Sequence, residues 1–218
     1  MTLLRWPPIV LWVAGVVAIL VVWSPALAPG AGDEPIIVVL GDSLTAGLGV
    51  APEEAYPARL QKRLAREGYR YRIVNAGVSG DTTAGALRRL DWALRVNPKI
   101  VIVALGANDG LRGQSVRALR RNLEEIVARC QARNARVLVA GMRLPPNYGT
   151  EYTRTFARTF AQVAAQTRVT FMPFLLDGVA TVRDLNQSDG IHPNARGHAV
   201  IAERLWPHLR PLLEPPNA

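Results

Sequence analysis

From Pro35 to Leu40 the chain reads Pro-Ile-Ile-Val-Val-Leu, an apolar run with no polar alternation. A strand with one wet face alternates, so a run that does not is buried on both faces, as in a parallel sheet. The same pattern returns at Lys99 to Leu105, around Ile100-Val101-Ile102-Val103, and at Arg136 to Ala140. Shorter strands are expected at Arg72 to Asn75 and at Val169 to Met172. Between these runs the period becomes helical. Glu53 to Glu67 sets Leu60 and Leu64 on one face and is closed by Gly68; further helices are expected at about 82 to 95, 115 to 133, Tyr152 to Gln166, and through Ile201 and Leu205. Strands alternating with helices predict an α/β fold, a doubly wound parallel five-stranded sheet flanked by helices in three α/β/α layers.

Three of the strands end in glycine-rich polar corners: Gly41 to Gly47, Gly77 to Thr83, and Gly106 to Gly110. In a parallel sheet these corners share the carboxyl edge, where ligands gather, so Ser43, Gly80 and Asn108 are expected to meet there. Taken alone, Asp42 and Ser43 read as a cap for the next helix.

Composition changes this picture little. The length suits one domain over residues 35–214 with no second domain. The formal charge is +9, but lysine occurs only at 62 and 99, and the arginines are dispersed along the chain without interleaved aromatics. A solvated basic surface and no nucleic-acid partner are expected. The lone Cys130 excludes an internal disulfide, and its register with Leu119, Leu123, Ile126 and Val127 predicts a buried thiol.

The amino terminus stands apart. Trp6 to Trp23 is a run of 18 residues without a charge, preceded by Arg5. Residues 1–28 are therefore expected to be either a signal peptide, with Ala26-Leu27-Ala28 as the cleavage site, or a single-span membrane anchor, with residues 29–34 as linker. Either version exports the domain, to the periplasm or to the outer side of the inner membrane. Pro29 disfavours cleavage directly after Ala28.

A nucleophilic serine needs a base within hydrogen-bond reach and a group that orients the base. The chain has three histidines. His198 and His208 fall in the terminal helical pattern, where a surface or internally satisfied histidine is the default. His192 lies in a loop bounded by Gly190 and Pro193, three residues after Asp189, so one turn brings the carboxylate to Nδ1 and leaves Nε2 facing outward. As an isolated pair, a helix-capping aspartate explains this spacing equally well. No metal is needed to account for it.

Taken in order, the blocks Gly41-Asp42-Ser43-Leu44, Ser79-Gly80-Asp81, Gly106 to Gly113, Arg143 to Gly149 and Asp189-Gly190-Ile191-His192-Pro193-Asn194 resemble the motifs of the SGNH (GDSL-type) hydrolases. The resemblance runs from about residue 36 to 212 and is to the bacterial thioesterase I, lysophospholipase and arylesterase branch. It implies the flavodoxin-like fold of that family, Ser43 as nucleophile, His192 as base and Asp189 as its partner. It also implies an oxyanion hole formed by the Ser43 and Gly80 N–H groups and the Asn108 side chain, with no cofactor and no metal. Glycine at 80 leaves no Cβ to hinder a substrate oxygen, and the Asn108 amide is a neutral donor.

The expected function is hydrolysis of a small acyl ester or thioester (lysophospholipid, aryl ester or fatty acyl thioester), membrane-derived substrates included, through an acyl-enzyme, by a monomeric catalytic domain. A carbohydrate O-acetylesterase is the alternative within the family. A non-catalytic phosphate- or nucleotide-binding module is a third reading, disfavoured because neither G-x-x-x-x-G-K-[ST] nor G-x-G-x-x-G occurs and a binder has no use for the Asp189/His192 pair. A catalytically silent scaffold is disfavoured because every expected catalytic residue is present.

Overall fold

The computed structural model describes residues 34–215. Residues 1–28, the expected signal or anchor, and nearly all of the linker lie outside the described residues; among those described, no helix is long and apolar enough to cross a membrane.

The apolar runs form the expected strands: β1 Ile36–Gly41, β2 Arg72–Gly77, β3 Ile100–Ala104, β4 Arg136–Ala140 and β5 Thr170–Met172. All pair in parallel, in the order β2-β1-β3-β4-β5. Every residue of β3 is buried, as is every residue of β1 after Ile36, which is what their lack of alternation requires. In this order the chain winds one way from β1 to β2 and the other way from β3 onward. The carboxyl ends of β1 and β3 therefore flank the switch point, the crevice where such sheets bind ligands.

The helices are α1 Ser43–Ala46, α2 Tyr56–Arg66, α3 Thr83–Arg88, α4 Leu90–Leu94, α5 Ala107–Leu111, α6 Val116–Gln131, α7 Thr150–Thr167 and α8 Ala195–Leu209. On one face of the sheet α2 packs on α8; on the other α6 packs against both α3 and α7. This is the expected three-layer sandwich. Its core is aliphatic, with Tyr56, Phe156 and Phe160 the largest fully buried side chains. Cys130 is buried within it, and burial pushes its thiol up to about 12, so it is inert at neutral pH.

Some boundaries differ from the sequence pattern. The helix expected from Glu53 begins at Tyr56, with Pro57 in its first turn, after a short 3-10 turn at Pro52–Glu54. The single helix expected at 82 to 95 is two, α3 and α4, because the backbone of Arg89 leaves helical geometry at φ −100° and ψ 5°. The side chain of Arg89 is drawn toward the corners of the sheet instead. α1 and α5 have no apolar periodicity to announce them; each is a single turn inside a glycine-rich corner.

Candidate active site

β1 delivers the first corner. Gly41 closes the strand against α1 so tightly that a Cβ there would fall 1.9 Å from Thr45 Oγ1, which only glycine permits. Asp42 then caps α1, its Oδ1 accepting the Leu44 N–H at 3.0 Å, and Ser43 is the first residue of the helix. Capping and reactive positions are thus adjacent residues rather than rival readings of one residue. Ser43 is only 9% exposed and opens into a cavity.

The candidate base, His192, comes from the opposite end of the chain. The loop before α8 folds back on itself: the Gln187 N–H donates to His192 O at 2.8 Å and the Asn194 N–H to Leu185 O at 3.0 Å. Asn194 caps α8 by accepting from the Arg196 and Gly197 N–H groups. Within this loop His192 Nε2 lies 3.0 Å from Ser43 Oγ, and His192 Nδ1 lies 2.6 Å from Asp189 Oδ2. Asp189 Oδ1 accepts the N–H groups of Ile191 and His192, both at 3.0 Å. The bond from the His192 N–H, then that from its ring and that from Ile191, hold the Asp189 carboxyl down to about 2. It is ionised throughout the neutral range, so Nδ1 donates to it and Nε2 is left as the acceptor for the serine proton.

Ser43, His192 and Asp189 are therefore brought together by one chain of two short contacts. Asn108, on α5 after β3, lines the same cavity. Its amide donates to Asp81 O at 3.0 Å and to Asp42 Oδ2 at 3.3 Å, the second bond long enough to be released easily. Gly80 lies in the corner after β2, which the Val78 N–H ties to Gly41 O at 3.0 Å. A Cβ on Gly80 would meet no protein atom closer than 3.6 Å, so what requires glycine there is its φ of +77° rather than space. Gly80 is not among the residues that line the cavity.

Four further residues support the site through contacts that the sequence reading does not assign. Arg89 Nε donates to Asp81 Oδ2 at 2.7 Å and its Nη2 to Gly41 O at 3.1 Å, joining the second corner to the first. Asp109, buried beside Asn108, accepts from the Thr83 hydroxyl at 2.5 Å and the Thr83 N–H at 2.9 Å, which holds the third corner to the second. Gln187 Nε2 donates to Leu48 O at 2.7 Å and to Pro193 O at 2.9 Å, stapling the histidine loop to the chain that follows Ser43. Asp42 is the fourth: burial raises its carboxyl to about 6, against the opposing pull of the Leu44 N–H. Spacing in sequence reveals none of these, since each acts between corners far apart along the chain.

The other histidines follow the default. His198 is buried, stacked on Tyr56, and accepts the Tyr56 N–H on Nδ1 at 3.3 Å; burial lowers it to about 4, so it stays neutral. His208 lies in the last turn of α8.

The cavity is about 390 Å³, within the range of small-ligand sites. Its walls are mostly apolar, including Leu44, Leu111, Met142, Leu144, Leu176 and Ile191. Among the described residues no cluster of histidine, cysteine or carboxylate side chains is arranged to hold a metal.

The chain is similar to known proteins. The chain is 46% identical to the esterase TesA of Pseudomonas aeruginosa over 167 residues, 76% of this chain and 83% of that protein. It is 36% identical to the thioesterase 1/protease 1/lysophospholipase L1 of Escherichia coli over 168 residues, 77% of this chain and 79% of that one. A crystal structure of TesA superposes with a TM-score of 0.80, covering 82% of this chain and 99% of the TesA chain at 46% identity. The sequence profile of the GDSL-like lipase/acylhydrolase family matches residues 39–200, from the strand that leads into Ser43 to the helix that follows His192. By that match and these identities, the chain belongs to the GDSL-like lipase/acylhydrolase family.

Proposed function

We propose that this protein is a serine hydrolase of acyl esters and thioesters that works through an acyl-enzyme on Ser43. The observation that carries the reading is the 3.0 Å contact between Ser43 Oγ and His192 Nε2 at an apolar cavity. Ser43 Oγ attacks the acyl carbonyl carbon while its proton passes to His192 Nε2. Asp189, already ionised, stabilises the imidazolium through Nδ1–H. The negative charge on the carbonyl oxygen is taken by the Ser43 and Gly80 N–H groups and by the Asn108 amide, which gives up its long bond to Asp42 to do so. His192 returns its proton to the leaving alcohol or thiol, then draws one from water as the water attacks the acyl carbon. Collapse of this second intermediate frees the acid and restores Ser43.

The cavity favours an acyl chain longer than acetyl, because its walls offer aliphatic surface to each added methylene. A series of p-nitrophenyl esters and acyl thioesters of increasing length tests this. At about 0.8 kcal/mol per buried methylene, kcat/KM should rise about three- to fourfold per carbon until the cavity is full. Highest kcat/KM on acetyl esters would favour the O-acetylesterase reading instead.

We infer further that the domain is exported and held at the inner membrane by residues 1–28. The support is the uncharged run Trp6 to Trp23, whose 18 residues span about 27 Å as a helix, close to the ~30 Å hydrocarbon core. Cell fractionation with amino-terminal sequencing tests it. An intact chain that resists carbonate extraction is expected; a soluble chain beginning near residue 29 would make the segment a cleaved signal.

A further inference from the structure

The arginines dispersed along the sequence are not dispersed in space. At the edge where the strands begin, Arg70 and Arg72 stand at the entry to β2, Arg95 and Lys99 at the entry to β3, and Arg133 and Arg136 at the entry to β4, all exposed. The sheet register levels them. Ile36 pairs with Arg72, Ile37 with Ile100, and Ile100 with Arg136, so Arg72, Lys99 and Arg136 fall within one residue of a common row. Arg168, also exposed, precedes β5 and extends the row across the sheet, about 19 Å at ~4.8 Å per strand.

Little negative charge answers this row. Glu67, Asp91 and Glu214 are each paired, with Arg63, Arg129 and Arg136, and Glu34 is exposed at the head of β1. Among the described residues Arg70, Arg72, Arg95, Lys99, Arg133 and Arg168 make no ion pair. A cation at the end of a helix is favoured by the helix dipole, which accounts for part of the placement. It does not account for Trp92, 54% exposed on α4, or for Val96, 37% exposed in the loop before β3. Among the described residues the other large exposed apolar side chains, Leu48, Val78, Val182 and Ile191 in loops and Leu111 at the end of α5, lie at the opposite, catalytic edge, where Leu111 and Ile191 line the cavity.

We propose that the amino-terminal edge of the sheet is a docking surface for a bilayer with anionic headgroups. The row of cations lies against the phosphates, and Trp92 with Val96 lies at the interface. Nucleic acid calls for the same charge, but not for an exposed tryptophan and valine beside the cations. The sequence also joins the uncharged run Trp6 to Trp23 to this edge, since residues 24–33 lead into the head of β1. Ser43 follows the other end of β1, about 20 Å away at ~3.3 Å per residue. Docked this way, the catalytic mouth opens away from the bilayer, and substrate arrives from the aqueous side.

The test uses residues 34–218, which contain the whole described sheet and core; the solved TesA chain, covered over 99% of its length, is a unit of the same kind. Binding is measured without substrate, by co-sedimentation with phosphatidylcholine vesicles and with vesicles about one third phosphatidylglycerol. Binding to the anionic vesicles only is expected, weakening as ionic strength rises from about 0.1 to about 1 M and screening shortens to ~3 Å. The triple variant Arg70→Gln, Lys99→Gln, Arg133→Gln changes exposed side chains that make no hydrogen bond among the described residues. It should lower the partition coefficient roughly 100-fold at about fivefold per cation, with an unchanged unfolding midpoint. This unit has two tryptophans, and Trp206 is buried, so a blue shift of emission on binding should come from Trp92 and vanish in Trp92→Phe. Hydrolysis of a soluble p-nitrophenyl ester by the vesicle-bound protein should stay within about twofold of that by the free protein. No binding at low salt, equal binding by the triple variant, a preference for duplex DNA over the vesicles, or loss of hydrolysis on binding would each overturn the proposal.

Discussion

The site is built from two halves with opposite surroundings. The half that the proposed mechanism gives the proton transfers, Asp189 and His192, stands on a surface loop; the Asp189 side chain is 44% exposed and that of His192 18%. The half that the proposed mechanism gives the nucleophile and the oxyanion is assembled from the ends of β1, β2 and β3; there Asp42 is buried and Ser43 only 9% exposed, while Asn108 is half-buried and Gly80 exposed. Each half contains an aspartate, and the two are driven in opposite directions. Three hydrogen bonds hold Asp189 near 2, whereas burial pushes Asp42 toward 6. A base that cycles through imidazolium needs a carboxylate that never takes the proton, and exposure with full hydrogen bonding supplies one. An oxyanion needs donors in a fixed frame, and the hydrogen bonds of Arg89, Asp109 and Asn108 between the corners supply that.

Removing members of each half separates them. His192→Ala should give the largest loss, roughly 10⁵- to 10⁶-fold in kcat, and Asp189→Asn roughly 10⁴-fold because the ring loses the partner that sets its tautomer. Single-turnover kinetics on a p-nitrophenyl ester would show the losses in acylation, and a variant within tenfold of wild type would remove that residue from the mechanism.

In the buried half, Asn108→Ala should lower kcat by about 10²- to 10³-fold, with KM little changed, because its amide is needed mainly as charge develops. A rise in KM at constant kcat would make Asn108 a ground-state contact instead.

Arg89→Ala should act on both corners at once. It frees Asp81, whose carbonyl receives the Asn108 amide, and leaves Gly41 O without its side-chain donor. A fall of about tenfold in kcat and 1 to 3 kcal/mol in stability is expected, with partial rescue of kcat in Arg89→Lys. Denaturant unfolding and steady-state kinetics on the pair of variants check this; a stability loss with unaltered kcat would confine Arg89 to the fold.

The two halves should also differ in the pH dependence of stability. A carboxyl raised in the folded state binds its proton more tightly there, so folding favours the protonated form. Wild-type stability should fall by up to about 3 kcal/mol from this group as pH rises from about 4 to 6, and the cost should be fully present above 6. Asp42→Asn abolishes the titration, so its stability relative to wild type should be greater at pH 8 than at pH 4. Equal differences at the two pH values would mean that Asp42 is not strained by burial.

The strands were legible in the sequence because burial on both faces leaves no polar residue in Ile37 to Leu40 or Ile100 to Ala104. The meeting of Ser43, His192 and Asp189 was legible because they sit in short blocks whose order resembles a known family. Asp42 and Asn108 were visible as residues, but their mutual contact was not, because it crosses from one corner to another. Arg89 was hidden for the same reason, and it also breaks the helix that its neighbours predict. The arginine row shows the opposite failure: positions spread from 70 to 168 look dispersed until the parallel register stacks the starts of four strands beside one another.

Peptide mapping after reaction with a p-nitrophenyl alkylphosphonate bears on the assignment of Ser43 itself. The label is expected on the peptide containing Ser43 alone, at one equivalent, with loss of activity in step with labelling and no label on a folded Ser43→Ala variant. Label on Ser79 or Ser188, or full activity in Ser43→Ala, would contradict the mechanism.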